Sequence, residues 1–259
     1  MVGPTASGKS ALALEVARRR PDLELVSVDS MQVYRGMDIG TAKPTPADQA
    51  EVRHHLIDVV DPSDDYTVSR FTTDLATALD DIAGRGRRAV LVGGTGLYVR
   101  AALGDLHIPP RYPQVRAELE AEPDPTVLHR RLAELDPVAA TRMEPTNRRR
   151  VVRALEVTLG SGRPFSSFGP GLGTYPPVGY PLIGLHLERP ELDRRIAERY
   201  LDQVEAGFLA EVRGLAERPE PLSATAGQAL GYRELLAHLR GECSFDEALE
   251  VAIRRTRRF

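Results

Sequence analysis

The string Gly3–Ser10, GPTASGKS, places the strongest restriction on what this chain can fold into. It has the spacing G-x-x-x-x-G-K-[ST], in which backbone N–H groups surround phosphate oxygens and the lysine neutralises them. Such a loop opens a helix, whose N-terminus adds positive potential. The spacing of apolar residues over 11–20 is helical, and Leu23–Val28 has the pattern of a buried strand. The sequence therefore predicts a phosphate-binding loop, with Ser10 placed to hold Mg²⁺.

A second glycine turn follows a second buried strand. The run Ala89–Val92 predicts a strand that ends at two glycines, and the spacing of Phe71–Ile82 predicts a helix before it. Strands that alternate with helices indicate a parallel sheet, and α/β proteins bind ligands at its carboxyl edge. Asp29 and Thr95 follow strand ends at that edge, so we expect them in one pocket. On local pattern alone, either residue could instead cap a helix.

The middle and the C-terminal part of the chain are organised differently. From Tyr112 to Phe168 the strand patterns disappear, and prolines separate short helical patterns such as Arg148–Leu159. The apolar run Leu182–Leu187 then predicts a strand that returns to the sheet. Helical patterns follow over Pro190–Glu217, over Gly227–Leu239 and from Phe245 to the end. We predict an α/β fold, a P-loop NTPase-like three-layer core with a parallel sheet, plus a small all-helical insertion domain, with boundaries at 1–111, 112–170 and 171–259.

Composition and missing motifs exclude several classes of protein. Cys243 is the only cysteine among 259 residues, which rules out a disulfide framework and a cysteine-based zinc site. No apolar run approaches the roughly 18 residues of a membrane helix, so we expect no membrane partner. The Asn-Lys-x-Asp string of GTPases is absent. We expect a cytoplasmic monomer, and we expect the chain to be a fragment because its first motif already begins at Gly3.

The predicted insertion carries a dense group of arginines, although the net charge of the chain is −3. On a helix, Arg149 and Arg153 share one face because they are four positions apart, which suits phosphate contacts. A solvated helix face is the alternative. The group consists of Arg142, Arg148, Arg149, Arg150, Arg153 and Arg163, and a second basic strip covers 254–258.

Seven strings together resemble the tRNA dimethylallyltransferases, also called tRNA isopentenyltransferases. The most specific is SVDSMQVYRGMDIGTAKP at Ser27–Pro44, which a phosphate-loop kinase has no reason to contain. The others are GPTASGKS at Gly3–Ser10, HHLID at His54–Asp58, LVGGTGLYVRA at Leu91–Ala101, NRRRVVRALEV at Asn147–Val157, GFLAEVRGL at Gly207–Leu215 and LGYREL at Leu230–Leu235. They span nearly the whole chain in the order of the family, so the resemblance covers both the predicted core and the predicted insertion.

The resemblance implies that a dimethylallyl group passes from its diphosphate to N6 of adenosine 37, next to the tRNA anticodon, giving N6-dimethylallyladenosine. Asp29 would accept the N6 proton, while Thr95 and Arg199 would act at the departing diphosphate. The base would be flipped out of its loop into the site. The implied cofactor is Mg²⁺, held by Ser10, and the implied partners are dimethylallyl diphosphate and the tRNA anticodon stem-loop. The implied diphosphate-binding residues are Gly3, Thr5, Ala6, Ser7, Gly8, Lys9 and Ser10.

The same resemblance implies tRNA contacts from several parts of the chain. They lie after the first strand, in the second glycine turn, in the insertion, and in or just before the LGYREL string. The residues are Asp29, Ser30, Met31, Gln32, Thr95, Arg116, Arg149, Arg150, Arg153, Gln228, Gly231, Tyr232 and Arg233.

Three other functions could use a similar phosphate loop. An adenylate isopentenyltransferase alkylates free AMP, ADP or ATP and needs no insertion to hold tRNA. A nucleotide or shikimate kinase would hold ATP and transfer its γ-phosphate. A non-catalytic nucleotide-binding switch would need only binding, and Asp29 would be dispensable. The arginines at 149 and 153 favour tRNA over a small acceptor.

Overall fold

The computed structural model describes residues 1–104, 108–169 and 178–258. The chain divides into two compact units, which we call the core unit (Met1–Ala102 with Gly179–Phe259) and the helical unit (Leu103–Val178). The helical unit begins earlier and ends later in the sequence than the predicted insertion 112–170. The predicted boundary at 170/171 lies outside the described residues. Within the described ranges, no helix is long and apolar enough to cross a membrane.

The core unit contains a parallel sheet. Its strands, in the described part of the chain, are β1 (Leu23–Val28), β2 (His54–His55) and β3 (Arg88–Gly93), in the order β2-β1-β3. The predicted strands Leu23–Val28 and Ala89–Val92 are confirmed. The predicted strand Leu182–Leu187 is wrong as a strand, because it makes only one parallel bridge, from Gly184 to Val2. Val2 also bridges Gly93 of β3. The run 182–187 therefore reaches the edge of the sheet through Val2 alone.

The helices surround the sheet in the core unit and make up the helical unit. In chain order they are α1 (Lys9–Arg19), α2 (Pro46–Glu51), α3 (Val68–Gly84), α4 (Gly96–Ala102), α5 (Pro113–Glu120), α6 (Pro125–Leu135), α7 (Pro137–Thr141), α8 (Arg148–Ser161), α9 (Arg189–Glu205), α10 (Phe208–Ala216), α11 (Tyr232–Leu239) and α12 (Phe245–Arg258). Short 3-10 helices cover Phe165–Phe168 and Ala226–Gln228.

Helices α1 and α3 both pack against the sheet. Ala13 and Ala17 of α1 form a buried cluster with Leu25 of β1, and Val90 and Val92 of β3 pack against that cluster. Successive side chains of a strand point to opposite faces, and α3 also contacts β1 and β3. The strands are therefore buried between layers of helix, which confirms the predicted α/β core.

The predicted helix Pro190–Glu217 is wrong as a single element. Helix α9 ends at Glu205 and α10 begins at Phe208, because Gly207 between them has a φ of +100°. This left-handed conformation cannot continue a right-handed helix, and glycine adopts it without steric cost. The predicted helix Gly227–Leu239 is likewise a 3-10 turn followed by α11.

Helices of the helical unit begin at residues that are typical of helix N-termini. The side chains of Asp124, Asp136 and Asn147 accept hydrogen bonds from N–H groups in the first turns of α6, α7 and α8. Prolines at 125 and 137 occupy the first helical turn, where no N–H is needed. The buried core of the unit includes Leu119, Leu128, Leu132, Val151 and Leu155.

Candidate active site

The phosphate loop turns tightly into α1. Gly8 has a φ of +87° and Ala6 a φ of +61°, both left-handed conformations. The N–H of Ser7 donates to Pro4 O at 3.3 Å, and Lys9 Nζ donates to the same oxygen at 3.2 Å. Burial lowers the pKa of Lys9, while the carboxylate of Asp29 opposes this shift. The loop therefore holds a partly desolvated cation at the N-terminus of a helix, a combination that favours phosphate.

The two predicted glycine turns lie against each other. A Cβ on Gly94 would be 2.6 Å from Gly3 O and 3.5 Å from Lys9 Nζ. A Cβ on Gly93 would be 2.1 Å from Val28 O at the end of β1. No larger side chain fits at either position. The backbones of both turns therefore meet at the carboxyl edge of the sheet, where the strand pattern predicts a pocket.

An open cleft of about 310 Å³ lies at this edge. Its lining includes Lys9, Ser10, Asp29, Arg195 and Arg199. The cleft thus combines three cationic side chains with a hydroxyl group and a carboxylate, so it can hold an anionic group next to a proton acceptor. A more open hollow of about 400 Å³ beside α3 contains neither the lysine nor the glycine turns, and we assign no chemistry to it.

Two arginines of α9 lie at the phosphate loop. Arg199 Nη1 donates to Thr5 Oγ1 at 3.2 Å, which ties α9 to the loop. Burial lowers the pKa of Arg199, and Tyr200 and Asp29 oppose that shift. Arg195, one turn earlier, also lines the cleft and forms an ion pair with Glu191, with 2.6 Å between Nε and Oε1. Sequence reasoning identified Arg199 but missed Arg195, although the spacing of four positions was a usable signal.

Asp29 follows β1 and is held by the turn after it. Its Oδ1 accepts the N–H of Met31 at 2.8 Å and the N–H of Gln32 at 3.4 Å. Its second oxygen, Oδ2, accepts no hydrogen bond from the described residues. Thr95 Oγ1 accepts the N–H of Ser30 at 3.3 Å, which joins the end of β3 to the same turn. The structure therefore brings Asp29 and Thr95 together and leaves one carboxylate oxygen able to accept a proton.

Gln32 connects β1 to another part of the cleft wall. Its Oε1 accepts the hydroxyl of Ser27 at 2.8 Å, and its Nε2 donates to Thr41 O and Ala42 O at 3.2 Å each. Gln32, Thr41 and Ala42 all line the cleft. The amide of Gln32 is therefore committed to three bonds within the chain, whereas the resemblance implies a tRNA contact.

The four tRNA contacts predicted in or just before the LGYREL string lie in different environments. Gly231 has a φ of +86°, and its N–H donates to Glu234 Oε2 at 2.9 Å. The side chain of Tyr232 is buried, with 1% of the residue exposed. Arg233 forms an ion pair with Glu234, with 3.1 Å between Nη2 and Oε1. Gln228 is exposed. Gly231 is buried as well, so of these four predicted tRNA contacts the fold withdraws Gly231 and the ring of Tyr232 from the surface.

The four arginines of the helical unit that the resemblance implies for tRNA binding divide into two pairs. Arg153 and Arg116 bind the buried carboxylate of Glu156, at 2.8 Å and 3.3 Å. Arg153 also donates to the carbonyl oxygens of residues 109 and 110. Arg149 and Arg150 are exposed, and no side-chain partner for either lies among the described residues. Of these four arginines, Arg149 and Arg150 are therefore the two that can bind phosphates without breaking contacts to the described residues.

Comparisons with known proteins agree with this site. The profile described as IPP transferase matches residues 32–259, and the profile described as Isopentenyl transferase matches residues 1–62. The chain is 48% identical over 267 residues to a tRNA dimethylallyltransferase of Thermobifida fusca, covering 100% of this chain and 83% of the relative. The chain belongs to the tRNA dimethylallyltransferase family. A tRNA dimethylallyltransferase of Geobacter metallireducens is 47% identical, covering 99% of this chain and 84% of the relative.

Solved structures of tRNA-modifying transferases share the fold. The tRNA isopentenylpyrophosphate transferase of Bacillus halodurans is 39% identical with a TM-score of 0.69, covering 99% of this chain and 82% of that one. A eukaryotic dimethylallyltransferase acting on tRNA is 27% identical with a TM-score of 0.81, covering 99% of this chain and 66% of that one. The family resemblance drawn from the seven strings is therefore confirmed.

Proposed function

We propose that this tRNA dimethylallyltransferase family member transfers a dimethylallyl group from dimethylallyl diphosphate to N6 of adenosine 37, next to the anticodon of tRNA. The observation that carries the proposal is the cleft that combines Asp29 with Lys9 and Arg199. The carboxylate supplies a proton acceptor, and the two cations oppose the charge that develops on a departing diphosphate. The names of the relatives support tRNA as the acceptor.

The proposed reaction is a substitution at the first carbon of the dimethylallyl group. The lone pair of N6 forms the new N–C bond, and the C–O bond to diphosphate breaks with its electron pair leaving on oxygen. Asp29 takes the proton that N6 loses. Lys9, Arg195 and Arg199 hold the diphosphate, and Thr95 fixes the turn that carries Asp29.

The residues at the cleft fit Mg²⁺. Ser10 is exposed in the first turn of α1 and lines the cleft together with Asp29, and oxygen atoms are the ligands that Mg²⁺ prefers. Within the described ranges, no group of three His, Cys, Asp or Glu side chains could hold a metal alone. Ser10 is the residue that would help to hold the ion. When bound, Mg²⁺ would neutralise charge on the leaving diphosphate.

The helical unit supplies the proposed contacts to the anticodon stem-loop. Arg149 and Arg150 are exposed and free of internal partners among the described residues, so they can neutralise tRNA phosphates. We propose that the protein acts as a monomer in the cytoplasm. A single cysteine, which can form no disulfide within the chain, suits a reducing compartment.

The test offers labelled dimethylallyl diphosphate and Mg²⁺ to the chain with unmodified tRNA, AMP or ATP as acceptor. Label in tRNA alone is the expected result. Asp29→Asn should abolish transfer and change the Kd of dimethylallyl diphosphate less than about twofold, because the amide oxygen can still bind the Met31 N–H. Asp202→Asn, on the exposed side of α9, is the matched control and should stay active. Label in AMP or ATP would instead identify an adenylate isopentenyltransferase, and full activity of Asp29→Asn would refute the role of Asp29.

A further inference from the structure

The carboxylate of Glu211, on α10, accepts hydrogen bonds from the backbone of a loop that is distant in sequence. The N–H groups of Asp38 and Ile39 donate to its Oε2 at 2.9 Å and 2.7 Å. The N–H of Gly40 donates to Oε1 at 3.2 Å. Three consecutive backbone donors on one carboxylate fix both the position and the direction of that loop.

Two more side chains complete this contact. Gln203 of α9 donates from Nε2 to Ile39 O at 2.6 Å and to Gly40 O at 3.1 Å. The hydroxyl of Tyr232, on α11, donates to Glu211 Oε1 at 2.6 Å. We call Gln203, Glu211 and Tyr232 the loop anchor. The loop anchor therefore binds both the N–H and the C=O groups of one short stretch, from three different helices.

The anchored stretch also packs closely. A Cβ on Gly40 would be 2.2 Å from the ring of Phe208 and 2.5 Å from the ring of Tyr232. Lys43 comes directly after Ala42; its Nζ lies 2.5 Å from Asp38 Oδ1, and the lysine side chain is 2% exposed. The loop is thus fixed on both sides of Thr41 and Ala42.

The anchored stretch leads directly into the cleft wall. Thr41 and Ala42 follow Gly40, line the cleft and accept the two hydrogen bonds from Gln32. Gln32 is bonded in turn to Ser27, two positions before Asp29. Hydrogen bonds and the short backbone segment from Gly40 to Ala42 therefore connect α10 to the strand that precedes the proposed base.

We infer that Glu211 is a positioning residue, which sets the distance between the Thr41–Ala42 wall and Asp29. Tyr232 acts through Glu211, by orienting its carboxylate from a buried position. This inference rests on the proposed transfer reaction. The phosphate loop is a separate element held by its own contacts, so a shift of the wall should slow the chemical step and leave diphosphate binding intact. Misplacement by about 1 Å can cost up to 100-fold in rate.

The ionisation of the pair supports this role. Burial raises the pKa of Tyr232, and the charge of Glu211 raises it further. The tyrosine therefore stays protonated and donates its hydrogen bond at every pH at which the enzyme would be assayed. Within the described part of the chain, Glu211 does not line the cleft, so it acts only through the loop.

Glu211→Gln tests the inference by exchanging one heavy atom, a carboxylate oxygen for an amide nitrogen. The amide can accept on one side only, so its NH₂ group faces at least one backbone N–H of the loop. We expect the single-turnover rate constant with tRNA to fall about tenfold or more, while the Kd of dimethylallyl diphosphate stays within about twofold. The rate constant does not depend on the folded fraction, which changes only the amplitude. Glu217→Gln, exposed at the end of α10, should match the wild type.

A second measurement is independent of activity. Amide hydrogen exchange at positions 38–40 should become at least about tenfold faster in Glu211→Gln and stay unchanged in Glu217→Gln. Tyr232→Phe removes only the hydroxyl and should show both effects more weakly. If exchange accelerates while the rate constant is unchanged, or if the Kd of dimethylallyl diphosphate rises as much as the rate falls, the inference is overturned. A wild-type chain that labels no tRNA would refute the proposed function, and the exchange data would still decide whether Glu211 holds the loop.

Discussion

Replacing Arg153 by alanine should destabilise the helical unit, although the resemblance implies that this residue contacts tRNA. The guanidinium of Arg153 donates to Pro109 O at 2.7 Å, to Pro110 O at 3.3 Å and to Glu156 Oε1 at 2.8 Å. The side chain of Glu156 is 2% exposed and that of Arg153 is 25% exposed. The arginine therefore satisfies three acceptors, of which the carboxylate of Glu156 is the one that water reaches poorly.

The size of the effect follows from what remains after the substitution. A hydrogen bond to a charged group contributes roughly 1.5–3 kcal/mol, and a buried charge left without any partner costs more. Glu156 keeps the Tyr112 N–H at 2.8 Å and Arg116 at 3.3 Å, so it is not left unpaired. We expect Arg153→Ala to lower the free energy of unfolding by about 2–3 kcal/mol. Arg149→Ala removes an exposed side chain and should change it by less than about 0.5 kcal/mol.

Two assays separate these roles. Urea denaturation of the full chain measures the free energy of unfolding, and tRNA binding at several salt concentrations counts phosphate contacts. Arg149→Ala should reduce the slope of log affinity against log salt by about 0.7–0.9, the value for one phosphate, while Arg153→Ala should leave that slope unchanged in the folded protein. Unchanged stability of Arg153→Ala together with a reduced slope would refute our placement of its guanidinium.

Three further predictions concern the core unit. Because burial lowers the pKa of Lys9, the affinity for dimethylallyl diphosphate should fall as the pH rises, beginning below the ordinary lysine value of 10.5. In binding titrations Lys9→Met should lose this alkaline dependence, and its persistence would assign it to another group. Gly40→Ala should lower the free energy of unfolding by about 1–3 kcal/mol through the contact with Phe208, and unchanged urea denaturation would contradict that packing. Hydrogen bonds from Ser63 hold the pKa of Asp61 at about 2, against an ordinary value of 3.8, so its stabilising effect should be present above pH 3.8 and lost as the pH falls towards 2. Asp61→Asn should remove this acid dependence of unfolding, and an identical pH profile would show that Asp61 is not its source.

Local patterns predicted the parts of the fold that local interactions decide. The bounds of β1 agree with the predicted strand Leu23–Val28, and the predicted helix Phe71–Ile82 lies within α3. Both elements could be predicted because the spacing of their apolar residues shows which side of the strand or helix is buried in the core. The break between α9 and α10 was missed since helical apolar spacing runs across it. Nothing in that spacing shows that Gly207 has a positive φ.

The site was predictable where its residues are consecutive. The phosphate loop is eight adjacent residues, whereas the contact of Glu211 with Asp38 joins residues 173 positions apart. No local pattern pairs such residues. The spacing of Arg149 and Arg153 predicts that they share a helix face, but it does not show that carbonyl groups before α5 already occupy one of them.

Gly207 also limits how this enzyme could be made more stable. Gln203 and Glu211 are eight positions apart, which on an uninterrupted helix would separate them by about 12 Å along the axis. Because the chain changes direction at Gly207, both side chains reach the adjacent peptide groups of Ile39 and Gly40. Exchanging a helical glycine for alanine ordinarily raises stability by up to about 1 kcal/mol. A substitution that joined α9 and α10 into one continuous helix would separate Gln203 and Glu211 and break their shared contact with the loop. Thermostabilising substitutions should therefore be placed elsewhere in the chain.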